Sequence, residues 1–478
     1  MYFIKKIGSY LGTDLIKQKK LLNEIHSTVV NYLFDSSLNS KSTIQQISSQ
    51  IDLKVGKGNN LDKIKALVND YLSLSVKTNS PQFYNQLFSG ISVTGYIGEL
   101  ISSITNNSLY TFEMSPVATL IENELMSKMS QIIGYKNGGG TFVSGGSNGN
   151  YLAMLAARQK IYPEALCNGM FGSNAIAAFV SVDAHYSMLK AANQIGIGTN
   201  NIIKVDVDEE GRMDVGLLKK SIGKSIKNGV KPFFVGATAG TTVRGSFDPI
   251  KELADVCKKY DIWFHIDGSW GGVALFSKKH KNLLNGSELS DSFIWCAHKV
   301  MAQPLVCSLA LFKDSKILFE LNDVEGTEYL FHDKDQYEQD LGRKSLQCGR
   351  RADALKLWLT WKYFGDRGFE QIIDHAFQMA VYAKEKILSK DYLKLTSDVN
   401  FLNVCFQIQP RGIEKEDIEK FTIDVRNELI KENKAMVNYA KVKGENCIRL
   451  VTVNHDLTAE YLDKFFLDLE SIVKKIQY

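Results

Sequence analysis

Proline is scarce in this sequence, seven in 478 residues, and no low-complexity stretch separates one part of the chain from another. That argues for a compact chain without long linkers. Cysteine is equally scarce, again seven, with no C-x-x-C pair. An odd, unpatterned count excludes a disulfide framework or zinc site and points to reduced thiols in a cytoplasmic protein. Net charge is only +4 and spread along the chain. No nucleic-acid or membrane partner is expected, and Lys17–Lys20 reads as a solvated helix face. No apolar run approaches the ~20 residues of a membrane span, and the opening Met1–Gly8 lacks the apolar centre of a secretory signal. There is no internal repeat. What remains is ordinary globular composition, 44% apolar and 23% charged, over a length that buries a large core in two or three domains.

One stretch stands out from this background. Trp263-Phe-His-Ile-Asp-Gly-Ser-Trp-Gly-Gly272 reads as a buried strand, apolar from Ile262 to Ile266, that stops at an aspartate followed by small residues. Open α/β sheets present ligand groups at such strand C-termini. A second apolar run, Phe293–Trp295, is followed by Cys-Ala-His-Lys299. A strand-end carboxylate, Asp267, and a lysine after the next strand, Lys299, suit pyridoxal phosphate (PLP). That cofactor needs a lysine for its Schiff base and an acid to keep its pyridinium nitrogen protonated.

The surrounding chain adds elements in order. Leu15, Leu22, Ile25, Val29 and Tyr32 share one helical face, and the Gly56–Asn60 break separates them from a second helix, Leu61–Leu74. Ser80–Gly90, with proline, adjacent aromatics and amides, reads as a loop, and a helix is expected over Val117–Ile133. Gly138–Asn150 is the richest glycine loop, and a helix beginning near Tyr151 would point its positive end there. Ser147 and Asn148 are the candidate phosphate cradle; the alternative is a flexible turn. Ala177–Val182 is a strand, with His185 just past its end. Val230–Gly236 is another, and Asp248-Pro249 reads as the cap and start of a helix that returns the chain to Ile262–Ile266. Strands alternating with helices at this spacing predict a parallel sheet with crossover helices. Pro304–Phe312 reads as a further strand, Asn322–Arg343 as a mobile polar loop, and the chain from about Gly365 as a long helix, scattered strands and a final helix over Thr458–Ile476. Arg449 shares a strand face with Cys447 and Val451, so it needs an anionic partner, either a substrate carboxylate or a structural salt bridge.

The wording around these residues resembles the group II PLP-dependent amino acid decarboxylases, the family of glutamate, cysteine sulfinate and aromatic amino acid decarboxylases. The resemblance rests on His265–Gly272, Ala297-His-Lys299, Ala184-His-Tyr-Ser187, Glu328-Tyr-Leu-Phe331 and Leu346–Trp358, and covers residues 80 to 454 in dispersed blocks. It implies an α/β fold of the aspartate-aminotransferase type (type I): a helical N-terminal arm (1–80), a large PLP-binding domain (81–364) and a small C-terminal α/β domain (365–478). Such enzymes are homodimers with sites at the subunit interface. By the same match His185 stacks on the cofactor ring, Thr238 contacts its ring hydroxyl, and His298 joins Lys299 among the cofactor-binding residues. Tyr329 protonates the α-carbon, unless it is an ordinary core or surface tyrosine.

Asn85–Gly90 and Tyr110–Val117 resemble the acidic-substrate branch, so glutamate, aspartate or cysteine sulfinate is the expected substrate. Gln86 then touches its distal acid group, or else satisfies loop backbone. An aromatic substrate is the alternative within the family; transamination, oxidative deamination or cofactor binding without turnover are alternatives beyond it. Two departures stand out: Cys296 replaces a polar residue, usually asparagine, and Gly268-Ser269 replaces a pair of alanines. No role for Arg350 or Arg351 follows from the sequence.

Overall fold

The computed structural model describes residues 15–38, 43–56, 58–322, 324–332 and 338–476. Residues 1–14 of the expected arm and 333–337 of the expected loop lie outside them. The two arm helices, Leu15–Leu33 and Leu61–Leu74, form where the periodicity predicts, and the Asn60 side chain caps the second by accepting the Lys63 N–H at 2.9 Å. Neither buries a residue within this chain.

Twelve strands follow among the described residues: β1 (Phe83–Tyr84), β2 (Gly139–Val143), β3 (Ile176–Ser181), β4 (Ile202–Val205), β5 (Lys231–Thr238), β6 (Trp263–Asp267), β7 (Ser292–Cys296), β8 (Ser308–Phe312), β9 (Leu393–Leu395), β10 (Asn403–Ile408), β11 (Met436–Val442) and β12 (Glu445–Val451). The larger sheet runs β2-β8-β7-β6-β5-β3-β4. Its five central and edge strands β4, β3, β5, β6 and β7 are parallel, as expected, with crossover helices Ser187–Gln194, Val215–Lys227 and Ile250–Tyr260. Strands covered on both faces read as continuous apolar runs, and β6 and β7 are buried at every position.

The sheet is nevertheless mixed. β8 runs antiparallel to β7, and β2 antiparallel to β8. Only residues 297–307 join β7 to β8, too few for a crossover helix, so the chain folds straight back. Lys299 lies in that return. Gly139–Val143, read from sequence as part of a loop, becomes β2 because it pairs with β8 along its whole length.

The smaller sheet runs β1-β11-β12-β10-β9. The segment read as a loop at Ser80–Gly90 supplies its edge strand β1, parallel to β11. Phe421, Val425, Leu429, Phe465 and Leu469 from two covering helices pack with Val404, Phe406, Ile448 and Leu450. The long helix Ala354–Leu388 breaks at Gly365 (φ 62°, ψ −179°), a conformation that glycine adopts freely.

The Leu346–Trp358 segment acquires a structural role here. Arg350 makes a buried two-pronged pair with Glu122 (2.8 and 3.0 Å), and the same carboxylate accepts the Phe142 N–H of β2 at 3.4 Å. Arg351, more exposed, pairs with Glu99 at 2.6 Å. Buried Lys356 pairs with Glu99 and Asp353 and donates to the Val306 carbonyl at 2.8 Å. These contacts clamp β2 and the return that carries Lys299.

Candidate active site

The C-terminal ends of β3, β5, β6 and β7 open on one cavity of about 430 Å³. Ser147, His185, Thr238, Asp267, His298 and Lys299 all line it, together with Phe88, Gly146, Asn150, Ser269, Trp270 and Cys296. Strand topology explains the convergence: Thr238 and Asp267 are register partners at the ends of adjacent parallel strands.

Asp267 is buried and already satisfied. Its Oδ2 accepts from the Asn150 side chain at 2.7 Å and its Oδ1 from the Ser269 backbone N–H at 3.1 Å. Burial alone would push this carboxyl up, but hydrogen bonding from Ser269, the Lys299 charge, Asn150 and His265 together carry it below its ordinary value. It is an anion held ready for a cationic partner.

Behind Asp267 lies a network whose polarity is fixed. Trp263 Nε1–H donates to Ser292 Oγ (2.8 Å), freeing the Ser292 hydroxyl to donate to His265 Nδ1 (2.8 Å). His265 Nε2–H then donates to Asn150 Oδ1 (3.0 Å), which leaves the Asn150 amide group to donate to Asp267 and to Ser187 Oγ (2.9 Å). Ser187 in turn donates to His185 Nδ1 (2.8 Å). One chain of hydrogen bonds thus orients both the carboxylate and the imidazole that face the cavity. Burial lowers His185 below its ordinary value, Asp267 opposing and Lys299 and Lys190 adding to it, so the ring is neutral.

His265 is fully buried, and that burial lowers its pKa to about 4. A histidine whose folded pKa is depressed contributes stability above its unfolded pKa and loses it as pH falls toward the folded value. The stability advantage of wild-type apoenzyme over His265→Gln should therefore shrink as pH falls from 6.5 toward 4. Asp248 has the opposite slope, because burial raises it to about 7, but it is common to both proteins. Urea unfolding at several pH values checks this; a constant difference would mean His265 is not the buried neutral group.

Other cavity residues are held from their backbones. Thr238 N–H donates to Asp248 Oδ2 at 2.7 Å, and Met213 N–H to Oδ1 at 2.7 Å. Asp248 therefore does not cap the helix after it, as expected from Asp-Pro; it ties β5 to a neighbouring loop, and the helix begins at Ile250 without a side-chain cap. Burial lowers His298 to about 4, and its Nδ1 sits 3.0 Å from the Cys307 carbonyl.

Four expected site residues fall elsewhere. Asn148 does not line the cavity. The helix starts at Gly146 rather than near Tyr151, so residue 148 is rotated off the face shared by Gly146 and Asn150, which lie four apart. Gln86 is half-buried outside the cavity; Phe88 from the same segment lines it instead. Arg449 is buried with no carboxylate partner among the described residues. Its guanidinium donates to the carbonyls of Asn85 (2.8 Å) and Thr242 (3.0 Å), and Nε–H has no partner. Tyr329 is 72% exposed on a turn outside the cavity of its own chain.

The sequence reading missed Asn150, His265 and Asn403. His265 lies two residues before Asp267, hence on the same strand face, which is the one signal available. Asn403, from the small sheet, accepts from Trp270 Nε1 (2.8 Å) and donates to the Thr242 and Val243 carbonyls (both 3.0 Å). Only the fold brings it there.

The residues fit PLP. Among the described residues the buried Thr238 and Ser269 hydroxyls have no partner and the helix at Gly146 has no side-chain cap, and Asp267 and Lys299 face one space. The model of the pyridoxal-dependent decarboxylase conserved domain matches residues 44–409. The chain belongs to the pyridoxal-dependent decarboxylase family. Pyridoxal phosphate is the cofactor of this family, and the chain is a PLP-dependent decarboxylase. It is 36% identical over 440 residues to the mouse (Mus musculus) acidic amino acid decarboxylase GADL1, covering 90% of this chain and 80% of that one. It is 34% identical over 481 residues to the human (Homo sapiens) cysteine sulfinic acid decarboxylase, covering 97% of each. The crystal structure of mouse CSAD in apo form superposes with a TM-score of 0.92 at 34% identity, covering 96% of this chain and 99% of that one.

Proposed function

We propose that this decarboxylase removes the α-carboxylate of a small acidic L-amino acid (glutamate, aspartate or cysteine sulfinate) as CO2 and releases the amine. The observation that carries the reading is Asp267 and Lys299 facing one cavity in a chain 34–36% identical, over most of its length, to an acidic amino acid decarboxylase and a cysteine sulfinic acid decarboxylase. Lys299 Nζ would hold the cofactor through its aldehyde carbon. The Asp267 carboxylate would hold a proton on the ring nitrogen, and His185 would pack against the ring. Ser147, Thr238 and His298 complete the binding surface. Bound there, PLP supplies the sink for the electron pair left when the bond from Cα to the carboxylate breaks. Arg449, behind Asn85 and Thr242 with its Nε–H unpartnered, adds positive charge for a substrate carboxylate. The test is a panel assay of CO2 and amine from common L-amino acids. Acidic substrates should dominate; turnover confined to aromatic ones, or carbonyl plus ammonia as products, would contradict the reading.

We propose further that the protein is a cytoplasmic homodimer. Seven free cysteines suit a reducing compartment. Ile97, Leu100, Ile101 and Ile104 form an exposed apolar stripe on the helix Val93–Thr105, as a partner copy would cover. A second copy also supplies the missing acid, its Tyr329 reaching the cavity and protonating Cα. Mixing Lys299→Ala with Tyr329→Phe should then restore up to about a quarter of wild-type activity, since half of the dimers are hybrid and each has one intact site. No recovery in verified hybrids would place the acid within one chain. By itself Tyr329→Phe should keep cofactor and substrate binding but yield less amine per CO2 and more aldehyde, the amino group remaining on the cofactor, which is lost in its aminated form. An unchanged ratio at an unchanged rate would make Tyr329 a packing residue.

A further inference from the structure

Ser269 carries a hydroxyl that nothing among the described residues uses. Its oxygen is buried without a hydrogen-bond partner, and the residue is 8% exposed. Its backbone N–H is committed to Asp267 Oδ1 at 3.1 Å, which fixes the residue just past the end of β6. A Cβ added to Gly146 would lie 2.4 Å from Ser269 Oγ and 3.1 Å from Cys296 Sγ. The Ser269 hydroxyl therefore lies against the first turn of the helix Gly146–Ile161, where only glycine fits. Gly145 (φ 114°) opens that helix, and no side chain caps it. Uncapped N–H groups and the helix dipole favour an anion at this end.

Cys296, the neighbouring departure from the family pattern, supplies no comparable donor. A thiol donates weakly, and its sulfur accepts the Ser308 hydroxyl at 3.1 Å. We propose that the Ser269 hydroxyl donates to the cofactor's phosphate monoester, a polar contact at position 269 in place of the polar residue that Cys296 replaces. The inference rests on PLP being the cofactor and concerns how this chain's own residues hold it.

The test compares apoenzyme affinity for PLP and for pyridoxal, which lacks the phosphate. A hydrogen bond to a charged group predicts that Ser269→Ala loses on the order of tenfold or more in PLP affinity. Pyridoxal affinity should not change, and the phosphorus NMR resonance of bound PLP should shift. Ser269→Cys, nearly isosteric, should behave like Ser269→Ala, which guards against a packing defect in either variant. Adding Cys296→Asn to Ser269→Ala should restore most of the PLP affinity. Equal losses for PLP and pyridoxal would assign Ser269 to the ring or to packing, and no loss would leave it without a role; either overturns the proposal. A wild-type apoenzyme that holds PLP no better than pyridoxal would instead contradict the phosphate cradle as a whole.

Discussion

Lys299→Ala should abolish turnover and the visible absorbance of the bound cofactor, while the protein stays folded. Lys299 lies in the short return between β7 and β8, in a turn whose N–H reaches the Cys296 carbonyl at 3.3 Å. The fold does not depend on its side chain, because the return is held from below by Lys356 on the Val306 carbonyl and by His455 on the Val300 carbonyl at 2.6 Å. Removing the amine leaves these contacts intact and deletes the covalent attachment. The variant should still take up PLP weakly through the phosphate cradle and Asp267, without the bound form's spectrum. CO2 release at the wild-type rate would mean that another amine holds the cofactor.

Asp267→Asn is the second large effect, and it separates binding from chemistry. The amide oxygen can keep the Ser269 N–H, while the new NH2 faces the Asn150 donor and loses that contact, a local change that leaves the backbone around β6 in place. What the amide cannot do is pair as an anion with a protonated ring nitrogen. The carboxylate is ionised because the network through Asn150 and His265, with Lys299 nearby, outweighs its burial. Losing a buried charge-assisted pair where negative charge accumulates should cost several kcal/mol, and each ~1.4 kcal/mol is tenfold in rate. The expected result is a cofactor-bound protein slowed on the order of a thousandfold or more. A near-normal rate would make the carboxylate structural.

These two residues were legible in the sequence for a physical reason. A buried strand is a continuous apolar run, so a charged residue that ends one is conspicuous, and strand ends are where α/β sheets place their chemistry. His185 was also placed just past a strand end, while its stacking role and the choice of Thr238 came from the family resemblance. Asn148 was misplaced because one helix boundary was set about five residues late, and a helix phase error turns a side chain to another face. Asn150, on the cavity side of the same helix, donates to Asp267. His265 is hidden inside an otherwise apolar run, and its importance appears only when Asn150 arrives from another helix.

The parallel core was likewise readable from strand and helix alternation, whereas the reversal at β8 depends on pairing between β7, β8 and β2. Long-range placement accounts for the other gaps. Asn403 and Arg449 come from the small sheet, and each holds the Thr242 loop through backbone carbonyls. The chemistry of Arg350 was equally silent until Glu122 stood opposite it. Tyr329 is the reverse case: its motif was recognisable, but the fold of the chain leaves it exposed and outside the cavity.

The most direct test of the central claim is to reduce the holoenzyme with borohydride, digest it and map the cofactor by mass. Reduction fixes the carbon–nitrogen link between PLP and the lysine that carries it. The account predicts one pyridoxyl-modified peptide, with the modification on Lys299 and none on the nearby buried Lys356 or on Lys190. Modification of a different lysine, or of none in protein that retains the cofactor's absorbance, would contradict it.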